Sequence, residues 1–136
     1  MGTDVKLRRI YDPPSPQDGY RVLVDRIWPR GVSREDASIN LWLKEIAPSF
    51  ALRKWFAHDA AKWAEFLTRY QSELEQNQDA VAELEHTMRE GPVTLLYAAR
   101  DEEHNNAVAL RHYLASRKKY WRRAECGTGA AQGTDV

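Results

Sequence analysis

One cysteine stands in the whole chain of 136 residues, Cys126, in a stretch rich in Gly and Ala. An internal disulfide and a cysteine-based zinc site both need further thiols, so both are excluded. The lone thiol reads as a bystander and not as a nucleophile. Apolar runs of roughly 18 residues, the length a membrane-spanning helix needs, are absent. Met1 to Arg9 also lacks the apolar core of a secretory leader. These absences predict a soluble, cytoplasmic protein with no membrane partner. Net charge is missing too, since 20 basic residues face 20 acidic ones, and the molecule as a whole has no pull toward nucleic acid or anionic lipid. No HExxH or His-x-His spacing occurs. The pair His58-Asp59 reads as a surface histidine beside a helix-capping aspartate, so no metal is predicted, and the sequence leaves the cofactor unknown.

What is present fits one core. With 43% hydrophobic residues, a chain of this length is expected to form one domain, residues 1–125, followed by a disordered tail, residues 126–136, that has no periodicity. Val5 to Tyr11 predicts a first strand. "DPPSPQDG", Asp12 to Gly19, is a loop because its prolines lack backbone donors. Tyr20 to Ile27 predicts a second strand. From Ser33 to Glu90 the pattern is helical in pieces, with Ser49 and Asp59 as N-caps. Trp63, Phe66, Leu67, Tyr70 and Leu74 recur at three or four residues and form one apolar stripe. Val81, Leu84 and Met88 mark the next helix, which Gly91-Pro92 ends.

"VTLLYAA", Val93 to Ala99, is apolar at consecutive positions, as a parallel strand covered on both faces must be. It is predicted to be interior and parallel to the second strand. A last helix starts near Asn105, with Val108, Leu110 and Leu114 inward. The expected fold is α/β: a small, mostly parallel sheet with helices packed on it, as a Rossmann-like three-layer or a two-layer sandwich. The short link between the first two strands favours an antiparallel pair by length alone.

In open α/β sheets, ligands bind beyond the carboxyl ends of the strands, near helix N-termini. Two strands end in polar sequence here, in "DRIWPRG" and in "RDEEHNNA". If these tails share one edge, Arg26, Arg30 and Arg100 form an anion cradle, since guanidinium forks match phosphate and carboxylate. Arg53, from the helix that "APSFALRKWF" opens, reaches the same mouth, and Asn105 adds a polar group. Asp25, Asp101 and His104 are the candidates for acid–base work, His104 because imidazole titrates nearest neutrality. The expected ligand is an anionic small molecule, such as a nucleotide or phosphorylated metabolite, with hydrolysis or group transfer as the accompanying chemistry. Against this stands a structural reading in which the same groups cap helices and fix the sheet edge.

A second function class comes from "LRHYLASRKKYWRR", where Arg111, Arg117, Lys118, Lys119, Arg122 and Arg123 occur without an acidic residue and with Tyr120 and Trp121 among them. Basic residues interleaved with aromatics suit a nucleic-acid strand. That non-enzymatic alternative ranks below the cleft. The tryptophans at helical spacing are read as core or cleft wall.

"RVLVDRIWPRG", "WLKEIAPSFALRKWF", "RYQSEL" and "VTLLYAARDEEHNNAVAL" together resemble the YeaO-like branch of DUF488, a family named for a domain of unknown function. The likeness runs from about Lys6 to Leu114. It implies an α/β fold. Related branches are similar in placing an Asp-x-Arg stretch after one strand and a Cys-His-Arg-like stretch after another. On this chain those positions are "VDRIWPR" and "EHNNA", and the second has no cysteine. The resemblance therefore implies the place of a site and supplies no substrate.

Overall fold

The apolar run Val93–Tyr97 is β4, buried at all five positions. It lies between β1 (Val5–Arg9) and β2 (Tyr20–Leu23), with β3 (Leu41–Trp42) beyond β2, in the order β1-β4-β2-β3. Every pairing is parallel. This computed structural model describes residues 5–127, with side chains described through Arg117. An interior strand covered on both faces has no reason to alternate, and β4 does not.

The link between β1 and β2 does not make the antiparallel pair that its length favours. Val5 and Tyr20 both pair with Val93, so β4 separates the two strands and residues 10–19 carry the chain back to the start of the sheet. That return is held from inside. The buried Asp18 carboxylate pairs with the buried Arg21 guanidinium and accepts the Ser15 N–H at 3.0 Å, while Thr94 Oγ1 donates to the Asp18 carbonyl at 2.8 Å. Gly19 makes the closing turn at φ 68°, where a β-carbon would overlap the Pro92 carbonyl oxygen. β3 is missed by sequence periodicity because it has only two residues, matched to Val22 and Leu23.

Side chains alternate across the sheet. Val22, Val24, Leu95 and Tyr97 face a layer made by α2 (Phe50–Phe56), α3 (Trp63–Glu75), α4 (Gln78–Glu90) and α5 (Asn106–Gly127). The predicted stripe is the buried face of α3 through Phe66, Tyr70 and Leu74, and α4 buries Val81, Leu84 and Met88. The opposite face carries Leu23 and Leu96, covered by Ile10, by Ala37 of the single-turn α1 (Arg34–Ala37), and by the partly buried Trp28 and Trp42. The full helical layer is thus on one side only. Residues 10–19 are too short and too rich in proline to supply a second.

α5 runs through Cys126 to Gly127, past the point where a tail is expected, and residues 128–136 lie outside the described residues. Among the described residues, no helix is long and apolar enough to cross a membrane.

Candidate functional site at the strand ends

Val24 N–H still bonds the Leu96 carbonyl at 3.1 Å, and the next residue, Asp25, closes the ladder with its side chain. Asp25 Oδ2 accepts the Ala98 N–H at 3.0 Å, and Oδ1 accepts from Asn106 Nδ2 at 3.1 Å. One carboxylate thereby joins the ends of β2 and β4 to the first residue of α5. Burial pushes this carboxyl above its ordinary value of 3.8, opposed by the Asn106 and Ala98 hydrogen bonds and by the charge of Arg53. Desolvation outweighs three favourable contacts because the charged form loses most by leaving water.

Arg26 is fixed by backbone. Its Nη2 donates to the Ala47 carbonyl at 2.9 Å and its Nε to the Pro48 carbonyl at 3.2 Å. Those carbonyls immediately precede Ser49, the N-cap of α2, whose Oγ accepts the Leu52 N–H at 3.1 Å. Glu73 of α3 then clasps the cap. It accepts the Ser49 N–H at 2.8 Å and the Ser49 hydroxyl at 2.6 Å. The start of α2 is held from both sides, and with it Arg53, one turn on. The guanidinium of Arg53 has no hydrogen bond or ion pair among the described residues. It stands 6.0 Å from the centre of the Phe50 ring, which Arg26 also approaches at 5.6 Å and which is 60% exposed. Beyond α2, Ala57 and His58 both adopt left-handed backbone, φ 46° and 58°, and His58 lines the cleft.

The tail after β4 builds the facing wall. Asp101 Oδ1 accepts the N–H groups of Glu103 at 2.9 Å and His104 at 3.0 Å, and Oδ2 lies 3.0 Å from His104 Nδ1. The Glu103 N–H first, then the His104 contacts, hold the Asp101 carboxyl below its ordinary 3.8. A carboxylate at Nδ1 places the proton there, so the neutral ring presents a lone pair at Nε2. Nε2 has no partner among the described residues. Trp63 packs edge-on against the ring with centroids 5.2 Å apart. Asn105 caps α5, its Oδ1 accepting the Val108 N–H at 3.0 Å and its Nδ2 donating to the Asp101 carbonyl at 2.9 Å.

These walls enclose a cleft of about 290 Å³. Of the residues proposed from sequence, Asp25, Arg26, Arg53, His104 and Asn105 line it. Asp101 supports His104 from just outside. Arg30 and Arg100 are exposed and do not line the cleft, so the structure does not assemble Arg26, Arg30 and Arg100 into one cradle. The reason is packing. Trp28 turns to the other face of the sheet, edge-on to Trp42 at 5.2 Å, and donates to the Val32 carbonyl at 2.8 Å. The chain that follows goes with it, and the Arg30 carbonyl ends under the Tyr11 hydroxyl at 3.1 Å.

Asn106, His58, Phe56 and Phe66 line the cleft without having been singled out for it. Only Asn106 had a usable signal, as a polar residue at the predicted start of a helix. Asp59 caps the turn after His58, accepting the Ala61 N–H at 3.0 Å. Among the described residues, no three His, Cys, Asp or Glu side chains gather to hold a metal ion. Of the alternative basic set, Arg117 makes a two-pronged pair with the buried Glu85, at 2.7 and 3.1 Å. The side chains of Lys118, Lys119, Arg122 and Arg123 lie outside those described.

A parallel α/β sheet with a polar cleft at its strand ends is the class that fold and site define. The family model described as "Inactive DUF488-N3 subclade" matches residues 4–129. The chain is 40% identical over 113 residues to the uncharacterized protein YeaO of Escherichia coli (strain K12), covering 83% of this chain and 98% of that one. It is likewise 40% identical over 115 residues to uncharacterized proteins of Mycobacterium tuberculosis (strain H37Rv) and Mycobacterium bovis, covering 85% of this chain and 97% of each. The chain belongs to this YeaO-like DUF488 family. No solved structure matches it.

Proposed function

We propose that the protein binds an anionic small molecule in the cleft at its strand ends, with Arg53 as the group that meets the negative charge. The carrying observation is the state of that guanidinium: exposed at the cleft beside a half-buried carboxylate, it holds no hydrogen bond or ion pair among the described residues. Arginine is suited to planar, two-pronged pairing with an oxyanion. Arg26 has a different part, since its donors to Ala47 and Pro48 shape the loop before α2.

Binding without turnover is the reading the family supports, because the matching model is described as inactive. Hydrolase or transferase chemistry through Asp25, Asp101 and His104 ranks below it. The nucleic-acid alternative loses Arg117 to its pair with Glu85. A cytoplasmic setting agrees with the single cysteine.

Thermal melts of the full chain in sulfate, phosphate or acetate, against chloride at matched ionic strength, test the proposal. A ligand that binds only the folded state raises its apparent stability. The melting temperature of the wild type rises with at least one oxyanion, Arg53→Gln abolishes the rise, and Arg30→Ala and Arg100→Ala keep it. No rise with any oxyanion, or a rise that survives Arg53→Gln, overturns the reading.

A further inference from the structure

The charges and walls of the cleft narrow the ligand class, an argument that rests on the anion-binding reading above. Charged lining groups are few. Arg26 and Arg53 stand against Asp25, so with the lining histidines uncharged the cleft holds one formal positive charge in excess. Asp101, just outside the lining and 3.0 Å from His104 Nδ1, adds no positive charge to the cleft. Glu102 and Glu103, exposed in the same loop, add negative potential at that side.

A monoanion entering here neutralises the excess. A second negative charge has no counter-charge waiting, and it meets the Asp25 carboxylate, which its hydrogen bonds to Ala98 and Asn106 hold in place. Phosphomonoesters carry roughly −1.5 to −2 at neutral pH, whereas carboxylates carry one charge. Unpaired charge in a partly desolvated site is costly, so the difference falls on the phosphate.

The rest of the lining is Ala47, Pro48, Phe56, Phe66, Ala98 and Ala99, together with the amides of Asn105 and Asn106, whose NH2 groups are taken by Asp101, Val24 and Asp25. Phe56 and Phe66 stack on each other at 4.4 Å, and Trp63 stacks on Phe66 at 5.5 Å behind His104. With those amide donors already used, the surface takes an apolar body better than the many hydroxyls of a sugar. At about 290 Å³ the cleft lies at the bottom of the range of roughly 300–1,000 Å³ typical of ligand pockets, which favours a compact molecule. We infer that the cleft is selective for a small monocarboxylate with an apolar or aromatic body, its carboxylate on Arg53 and its body against Phe56 and Phe66.

Calorimetric titration of the full chain near neutral pH with phenylacetate, phenyl phosphate, phenylacetamide and acetate reads each part of the claim. Phenylacetate binds. Phenyl phosphate binds at least about tenfold more weakly, because its second charge goes unanswered. Phenylacetamide, which keeps the ring and loses the charge, does not bind, and acetate binds more weakly than phenylacetate. Phenyl phosphate binding as well as phenylacetate or better overturns the monocarboxylate assignment and leaves the anion cleft standing. Acetate matching phenylacetate overturns the apolar body. No binding of any of these acids, together with no stabilisation by sulfate or phosphate, overturns both readings. Asp25→Asn, checked for folding by circular dichroism, narrows the gap between the two phenyl acids; an unchanged gap in the folded variant counts against the charge argument. If that variant does not fold, the wild-type comparison decides alone.

Discussion

Asn106 Nδ2 bridges two acceptors at the end of β2, donating to the Val24 carbonyl at 2.9 Å and to Asp25 Oδ1 at 3.1 Å. The first residue of α5 is thus fastened to a strand more than eighty positions earlier. Asn106→Ala removes both donors and leaves a half-buried carboxylate oxygen and a carbonyl without them. A loss of about 1–3 kcal/mol is expected for such a deletion, read as a lower urea midpoint at unchanged slope. A variant as stable as the wild type would show that water replaces the amide at no cost.

Asp25 and Asp101 are expected to move stability with pH in opposite directions. Burial raises the Asp25 carboxyl above 3.8 in the folded chain. Its contribution is therefore fully present below the unfolded value and is lost as pH rises through the raised folded value. The Asp101 carboxyl is lowered by the Glu103 N–H and by His104. Its contribution is present above 3.8 and is lost as pH falls through the lowered value. Asp25→Asn consequently gains on the wild type as pH rises above 3.8, while Asp101→Asn gains as pH falls below 3.8, within a window of about 2 to 7. Denaturant titrations across that window decide the matter, and slopes of the same sign for both variants would contradict it.

Glu73 is expected to govern the cleft from a distance, because it alone clasps the Ser49 cap through both carboxylate oxygens. Glu73→Ala frees the start of α2 and costs about 1–2 kcal/mol, in the range of a lost N-cap with its charged partner. The response to oxyanions should weaken in the same variant, since Arg53 rides on α2. A stability loss with an undiminished oxyanion response would separate the cap from the cleft.

Gly19→Ala should be among the most damaging small substitutions. Its φ of 68° is strained for alanine, and the added methyl runs into the Pro92 backbone. The atoms it meets are the Pro92 main chain and the adjoining ring carbon, so no flexible side chain can swing away. Expression as insoluble material, or a loss of more than about 2 kcal/mol, is the expected outcome. Near-wild-type melting would mean that the return loop between β1 and β2 can shift.

Sequence by itself determined the elements whose signals are local. Consecutive apolar residues made Val93–Tyr97 an interior parallel strand, and the recurrence of Phe66, Tyr70 and Leu74 set the buried face of α3. Ser49 and Asp59 were legible as caps because a cap is a contact of a few residues. The place of the cleft was legible too, where two strands turn polar. Tertiary structure decided the rest. Whether β1 and β2 meet as a hairpin or stand apart around β4 depends on a strand seventy residues downstream and on the Asp18–Arg21 pair beneath the sheet. Arginines look alike in sequence, yet Arg53 opens onto the cleft, Arg26 is held by two carbonyls, Arg30 leaves with Trp28 for the other face, and Arg117 is taken by Glu85. An arginine's side chain is long, and its partner is chosen by whatever acceptor the fold brings near; that choice is a matter of non-local packing.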